Sequence, residues 1–369
     1  MSSAQLEILA IASLTAAACA LVGVFLVLRR MALVSDAITH SVLLGIVLAF
    51  FVTQSTTSPL LLVAAALTGV LTVALVELVV RTGRVREDAA IGLVFPALFS
   101  LGVILVSRYA GDVHLDVDAV LLGELAFAPF DRVEIAGWDL GPSALVVMAV
   151  VLAVDAAVVA LLWKELKLTA FDSALALSLG FAPTAITYGL MTLVSLTAVG
   201  AFNAVGSILV VALMIAPPAA AYLLTDSLWR MTALAVAIGV TSAIAGYWAA
   251  YVLDASIAGC MAAACGVAFT LSWAFAPGRG LVASARQRAR QRSAFAQAML
   301  AIHLANHEGT EAALEENRVD RLGAHLRWDA ATIQRIVALA ERRGLVAERG
   351  GVLALTERGR QLARDALTV

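Results

Sequence analysis

Nine stretches of this chain are apolar for long enough to cross a bilayer: about residues 6–28, 32–52, 59–80, 89–107, 142–163, 183–201, 204–223, 229–252 and 255–276. A hydrocarbon core of ~30 Å takes roughly 20 helical residues. Inside it the backbone must satisfy its own hydrogen bonds, so runs of this length become helices. The rest of the composition agrees. The chain is 62% hydrophobic and 14% charged, with a mean hydropathy of +0.93, whereas a soluble domain is nearer half apolar and a quarter charged. The expected fold is an all-α polytopic membrane protein of about nine transmembrane helices, followed by a smaller polar domain. The first apolar run, Leu6–Leu28, is too long for a signal-peptide core and lacks basic residues before it, so it reads as a retained span.

Charge divides the chain. Residues 1–282 carry 11 Lys and Arg against 17 Asp and Glu, whereas residues 283–369 carry 14 against 10. All eight prolines lie at or before Pro277. The boundaries this suggests are a membrane domain over 1–280, a basic linker over 281–292 and a polar domain over 293–369. Nine of the eleven membrane-domain cations fall on one side if the N-terminus is outside. Cytoplasmic loops carry the excess of Lys and Arg, so the expected topology is N-out, with the C-terminal domain in the cytoplasm and the spans in the bacterial cell (inner) membrane. Cys19, Cys260 and Cys265 all lie in apolar runs, form no CxxC and read as small hydrophobes.

The second span carries the chemistry. In RRMALVSDAITHSVLLGIVLAF (Arg29 to Phe50), Asp36 and His40 stand four residues apart, on one helix face. At ~1.5 Å per residue His40 lies roughly 15 Å beyond the arginines, near mid-bilayer. Ionisable residues at such depth are costly and mark substrate or ion pathways. A carboxylate with an imidazole is a ligand set for first-row divalent metals. The competing reading is a polar pair that bonds a neighbouring helix. Ligation needs a neutral imidazole, so a metal path through His40 weakens in acid. Asp155, midway along the fifth span, is a weaker second candidate for the path. Glu77, near the inner end of the third span, reads as reaching the interface.

Other features frame these residues. The connection Arg108–Gly141 is rich in acids (Asp112, Asp116, Asp118, Glu124, Asp131, Glu134, Asp139) and holds His114, a composition that attracts cations or simply solvates a loop. Its segment Ala119–Phe127 is too short to span. Pro59, Pro142 and Pro183 open helices, while Pro96 and Pro217–Pro218 are expected to kink or break theirs. The sixth and seventh spans are expected to meet in a short turn at 201–204, which contains Asn203. Between spans five and six, Phe171-Asp172 begins a short amphipathic helix with Asp172 as N-cap and Gly180 as its stop. It is either an ordinary loop helix or a docking element. Neither of the two lysines, Lys164 and Lys167, follows a glycine, which excludes a P-loop. The driving force is therefore a separate ATPase or an ion gradient.

RRMALVSDAITHSVLLGIVLAF resembles the second span of the permeases of manganese, zinc and iron ABC importers (the metal ABC-3 type). REDAAIGLVFPALFSLGVILVS, VDAVLLGEL, FDSALALSLGF and SLTAVGAFNAVGSILVVALMIAPPAAAYLLTDSLWRM resemble further blocks of that family in the same order. The resemblance spans roughly residues 6–280. It implies a non-enzymatic transport subunit that pairs with a second permease subunit, as a homodimer. It further implies a cytosolic ABC ATPase dimer and an extracytoplasmic metal-binding protein. No cofactor is held permanently; the metal (Mn, Zn or Fe) is cargo. By this likeness Asp36 and His40 line the path, and two subunits together offer two carboxylates and two imidazoles. The Phe171–Phe181 segment becomes the ATPase coupling helix, with Phe171, Asp172, Ala174 and Gly180 on it. Ser35 departs from the family, which commonly has glycine there. The alternatives are a membrane-tethered, metal-responsive transcription regulator and a gradient-driven metal carrier.

In the C-terminal domain, Ser293–His307, Val319–Leu326 and Asp329–Arg343 read as helices. Leu345–Glu348 and Val352–Leu355 flank a Gly-Gly turn, and a last helix starts near Thr356. RLGAHLRWDAATIQRIVALAERRGLVAERGGVLALTERGRQLA resembles the α+β winged helix-turn-helix of diphtheria-toxin-repressor-like metalloregulators. If it bound nucleic acid, Ala330, Ala331, Gln334 and Arg335 would face the major groove and Arg349 the wing. Two alanines make a poor base reader, so a regulatory or assembly role is expected instead. His303 and His307 form an i, i+4 pair, a weak metal signal.

Overall fold

A computed structural model describes residues 2–54, 58–109, 125–135, 138–310 and 313–367. The acidic residues Asp112, Asp116, Asp118 and Glu124, together with His114 and most of the Ala119–Phe127 segment, lie outside the described residues. The chain divides into two compact units, Met1–Gly280 and Leu281–Val369.

The first unit holds nine helices long and apolar enough to cross a membrane, among the described residues. They are α1 (Ser3–Leu28), α2 (Ala32–Thr53), α3 (Pro59–Arg81), α4 (Glu87–Tyr109), α5 (Ser143–Leu161), α8 (Pro183–Val205), α9 (Ser207–Leu224), α10 (Leu228–Leu253) and α11 (Ile257–Phe275). Two short helices, α6 (Trp163–Phe171) and α7 (Ser173–Ser178), lie between α5 and α8. A small antiparallel hairpin, β1 (Arg132–Ile135) and β2 (Trp138–Pro142), precedes α5. The sequence suggested only an acidic loop there, because each strand is too short to show a period of two. Arg132 ties the hairpin down through Asp139 at 2.8 Å and Glu7 of α1 at 3.2 Å.

Helix α1 is the central pillar, packed against α5, α8, α9 and α10. Its alanines and Gly23 let neighbours approach closely, the usual basis of helix packing in lipid. Proline chemistry sets one of these contacts. Pro217 and Pro218 are buried inside α9, which continues past them to Leu224 instead of breaking. Pro218 has no N–H for the carbonyl of Met214, four residues earlier. That carbonyl faces Gly23 instead: a Cβ built there would lie 2.0 Å from Met214 O. The missing side chain leaves room for a close α1–α9 contact over the freed oxygen.

The break between α8 and α9 falls at Gly206 (φ +76°), not at 201–204. Only glycine takes such a backbone without strain, so the turn waits for Gly206, and Asn203 belongs to the last turn of α8. Cys19 and Cys265 are buried, and all three cysteines are free thiols.

The second unit begins with α12 (Leu281–His307), followed by α13 (Ala313–Glu316), α14 (Leu322–Leu326), α15 (Ala330–Arg342), the β3–β4 hairpin (Val346–Arg349, Val352–Leu355) and α16 (Glu357–Leu367). Residues 281–292, read from sequence as a linker, open α12. They contain no proline or glycine and are rich in Ala, Arg and Gln, all good helix formers. Leu300, Leu304, Leu322, Ile336, Val337 and Leu353 form the core of this unit. Gly350 and Gly351 both adopt positive φ at the hairpin turn.

Candidate metal path and partner-docking helix

Helix α2 is held by its rear face. Ser35 is buried and its hydroxyl donates to the sulfur of Met214 at 3.1 Å. Thr72 of α3 donates to Ser41 at 2.6 Å between two buried side chains. Gly45 sits against the backbone of Ala64 and the hydroxyl of Thr68, with no room for a Cβ. Small and hydroxylated residues thus lock α2 to α3 and α9.

Asp36 and His40 lie away from those locked contacts. Oδ1 of Asp36 stands 3.4 Å from Nε2 of His40, and the two side chains are 43% and 29% exposed. Within one chain no hydrogen bond among the described residues joins either side chain to a neighbouring helix. Phe95 of α4 stacks on the imidazole (5.9 Å between centroids, 29°) and Phe99 meets it edge-on (5.9 Å, 75°). Two aromatic walls fix the ring while leaving a carboxylate oxygen and a ring nitrogen side by side. Leu33, Leu48 and Leu101 on the same two helices are about half exposed.

Asp155 is fully buried in α5. Its Oδ2 accepts from the Thr197 hydroxyl at 2.8 Å, while Oδ1 is buried without a partner among the described residues. Helix α5 packs on α1 and α8, and among the described residues no hydrogen bond or ion pair joins Asp155 to Asp36 or His40. Glu77 pairs with Arg81 at 2.6 Å and accepts from the Tyr188 hydroxyl. It is anchored at a helix end.

The segment after α5 presents apolar side chains to solvent. Asp172 caps α7, accepting from the Leu175 amide at 2.9 Å. Gly180 (φ +86°) reverses the chain after it. The helix is shorter than the Phe171–Phe181 reading because it begins only after its Asp172 cap and ends at Ser178, before Gly180. Phe171, Leu177 and Leu179 are each more than 60% exposed, and Ala174 is exposed beside them.

In the second unit Gln334 and Arg335 lie on the exposed face of α15, and Arg349 is exposed on the hairpin. The rings of His303 and His307 are 4.8 Å apart, with His325 5.6 Å from His303. Among the described residues, however, no three His, Cys, Asp or Glu side chains are arranged to hold a metal.

A bundle of nine span-length helices with a paired acid and imidazole opening from one of them is the architecture of a membrane transport subunit. The match to known proteins gives it a family: residues 3–276 fit the family model of the ABC 3 transport family, and the chain belongs to that family. It is 49% identical over 364 residues to the zinc transport system membrane protein TroD of Treponema pallidum, covering 99% of each chain. It is 46% identical to the manganese transport system membrane protein MntD of Bacillus subtilis over 74% of this chain and 93% of that one. Among solved structures, PsaBC from Streptococcus pneumoniae in complex with Fab aligns with a TM-score of 0.64 and 26% identity, over 76% of this chain and 94% of the other.

Proposed function

We propose that this chain is the permease subunit of an ATP-binding-cassette importer for a divalent transition metal, and that the ion passes Asp36 and His40. The observation that carries the path is the half-open acid–imidazole pair on α2, with the His40 ring against Phe95 and Phe99. One carboxylate and one imidazole do not complete a coordination shell. A second permease subunit facing α2 and α4 would double the set to two of each, so the metal sheds water and gains transient protein ligands. Carboxylate and imidazole serve manganese, iron and zinc alike, and the relatives include proteins named for zinc, manganese and chelated iron.

Energy enters through separate ATPase subunits. Helix α7, with its exposed Leu175 and Leu177 and the exposed Phe171 and Leu179 that flank it, serves as the coupling helix that docks into them, and an extracytoplasmic protein delivers the ion. The positive-inside bias supports an N-out topology, which puts α7 and the second unit in the cytoplasm. We read the helices and hairpin of residues 293–369 as a winged helix-turn-helix and assign it a regulatory or assembly role. The tethered-regulator and gradient-carrier alternatives are not favoured, because the relatives are transport-system membrane proteins, one of them over nearly the whole chain.

The test is metal uptake by vesicles holding the chain with its ATPase and delivery protein, with manganese, zinc and iron in competition. Asp36→Ala and His40→Ala abolish ATP-dependent uptake while the protein stays in the membrane. Normal uptake by both variants would sink the assignment of the path.

A further inference from the structure

Arg29 ends α1, seven residues before Asp36. The turn that follows is unusually well defined. The Met31 amide bonds Leu26 O at 2.9 Å and the Arg30 amide bonds Val27 O at 3.1 Å, with Arg30 in the left-handed region (φ +61°). This is a Schellman stop, and it joins α1 to α2 through three residues.

The Arg29 side chain reaches away from that turn. Its Nη2 donates to Thr169 Oγ1 at 2.6 Å and its Nη1 donates to Thr187 Oγ1. Thr169 lies on α6, just before the coupling helix α7; Thr187 lies on α8, just after it. The guanidinium therefore bridges the two chain segments that carry α7. Both hydroxyls are set up as acceptors. Thr169 gives its proton to Glu165 O at 2.8 Å and Thr187 gives its proton to Pro183 O at 2.8 Å. Each hydroxyl has one proton, so what remains towards Arg29 is a lone pair. Among the described residues no carboxylate pairs with Arg29, and its Nε is buried without a partner. Burial holds its guanidinium pKa below the ordinary value. A half-buried cation without a counter-charge carries part of the desolvation cost of a buried one, and two charge-assisted hydrogen bonds offset that cost only while all three segments keep their places. A second contact runs parallel: Phe25 of α1 meets Trp163 of α6 edge-on at 6.2 Å.

We propose that Arg29 is the coupling clamp of this subunit, a positioning residue that ties both roots of the docking helix to the α1–α2 turn and so to the helix bearing Asp36 and His40. The proposal rests on the importer reading of α7. In it, movement imposed on α7 by the ATPases is passed to α2 through a planar two-armed cation rather than through flexible loop. Lysine cannot replace it, because one ammonium does not span both hydroxyls in a fixed fork.

The experiment compares metal uptake with ATP hydrolysis in the reconstituted full complex. Arg29→Gln leaves ATPase binding and hydrolysis near wild type but lowers metal moved per ATP by about tenfold or more, the scale of one lost charge-assisted bond. Arg29→Lys lies between. Thr169→Val with Thr187→Val, which leaves the arginine in place and preserves side-chain shape, reproduces the Arg29→Gln defect; this pair also serves if Arg29 variants fail to reach the membrane. An unchanged ratio of uptake to hydrolysis in the double valine variant overturns the clamp and leaves the importer reading intact. A wild-type complex that moves no metal with ATP overturns that reading, and the clamp with it.

Discussion

Replacing Phe171 with alanine separates docking from folding. In the isolated chain this side chain is 64% exposed and belongs to no core cluster. A phenylalanine offers ~200 Å², so roughly 130 Å² is open for a partner to cover. At ~25 cal/mol per Å² this sets an upper bound of about 3 kcal/mol on what a partner gains from it. Association realises only part of such area, and alanine keeps its Cβ, so the expected loss is about 1–2 kcal/mol, or ~5–30-fold in Kd. The assay is titration of purified ATPase onto the chain in nanodiscs, read by binding and by ATPase stimulation. Thermal stability of the chain alone should stay within ~0.5 kcal/mol of wild type. Phe171→Leu should recover most of the affinity, since leucine restores apolar area. Equal ATPase affinity for wild type and Phe171→Ala would refute the docking role of this surface. A large loss of stability without any partner would show that the side chain is core, against its exposure.

Further outcomes follow from other contacts. Asp155→Asn, which keeps an acceptor for Thr197, should transport within about threefold of wild type, whereas Asp36→Asn should lose more than about tenfold; the reverse ranking in vesicle uptake would move the path to α5. Gly23→Ala should cost about 1–3 kcal/mol by overpacking, seen as a lower melting temperature in detergent, because its methyl group meets the Met214 carbonyl. His303 titrates below its ordinary value of 6.5, chiefly because it is partly buried, with His307 and His325 adding repulsion. Below about pH 6.5 the unfolded second unit then binds more protons than the folded one, so stability is lost as pH falls. Hydrogen exchange of α12 in metal-free buffer should show this acid loss, and His303→Gln should flatten it.

Nine long apolar runs were enough to assign the membrane class, since they admit no other use of the backbone. The sequence also placed Asp36 and His40 on one face of α2, because helical spacing is a local property. The cap at Asp172, the stop at Gly180 and the turn at Gly350-Gly351 were legible for the same reason: each depends on the conformational chemistry of one or two residues. Tertiary structure decided what those faces meet. Spacing alone left open whether the acid and imidazole are hidden or half open; within one chain, packing of α2 on α3, α4 and α9 leaves them half open. Periodicity marks Asp155 and Asp36 alike as buried acids, and only the arrangement of helices separates a sealed carboxyl bonded to Thr197 from one beside His40. Pro217–Pro218 does not break α9, and the carbonyl that Pro218 leaves free lies against a glycine of another helix, far away in sequence. Arg29 gave no signal beyond a basic residue at a span end. Its role depends on two threonines more than a hundred residues away, and hydrogen bonds at such separations exist only once the chain has folded.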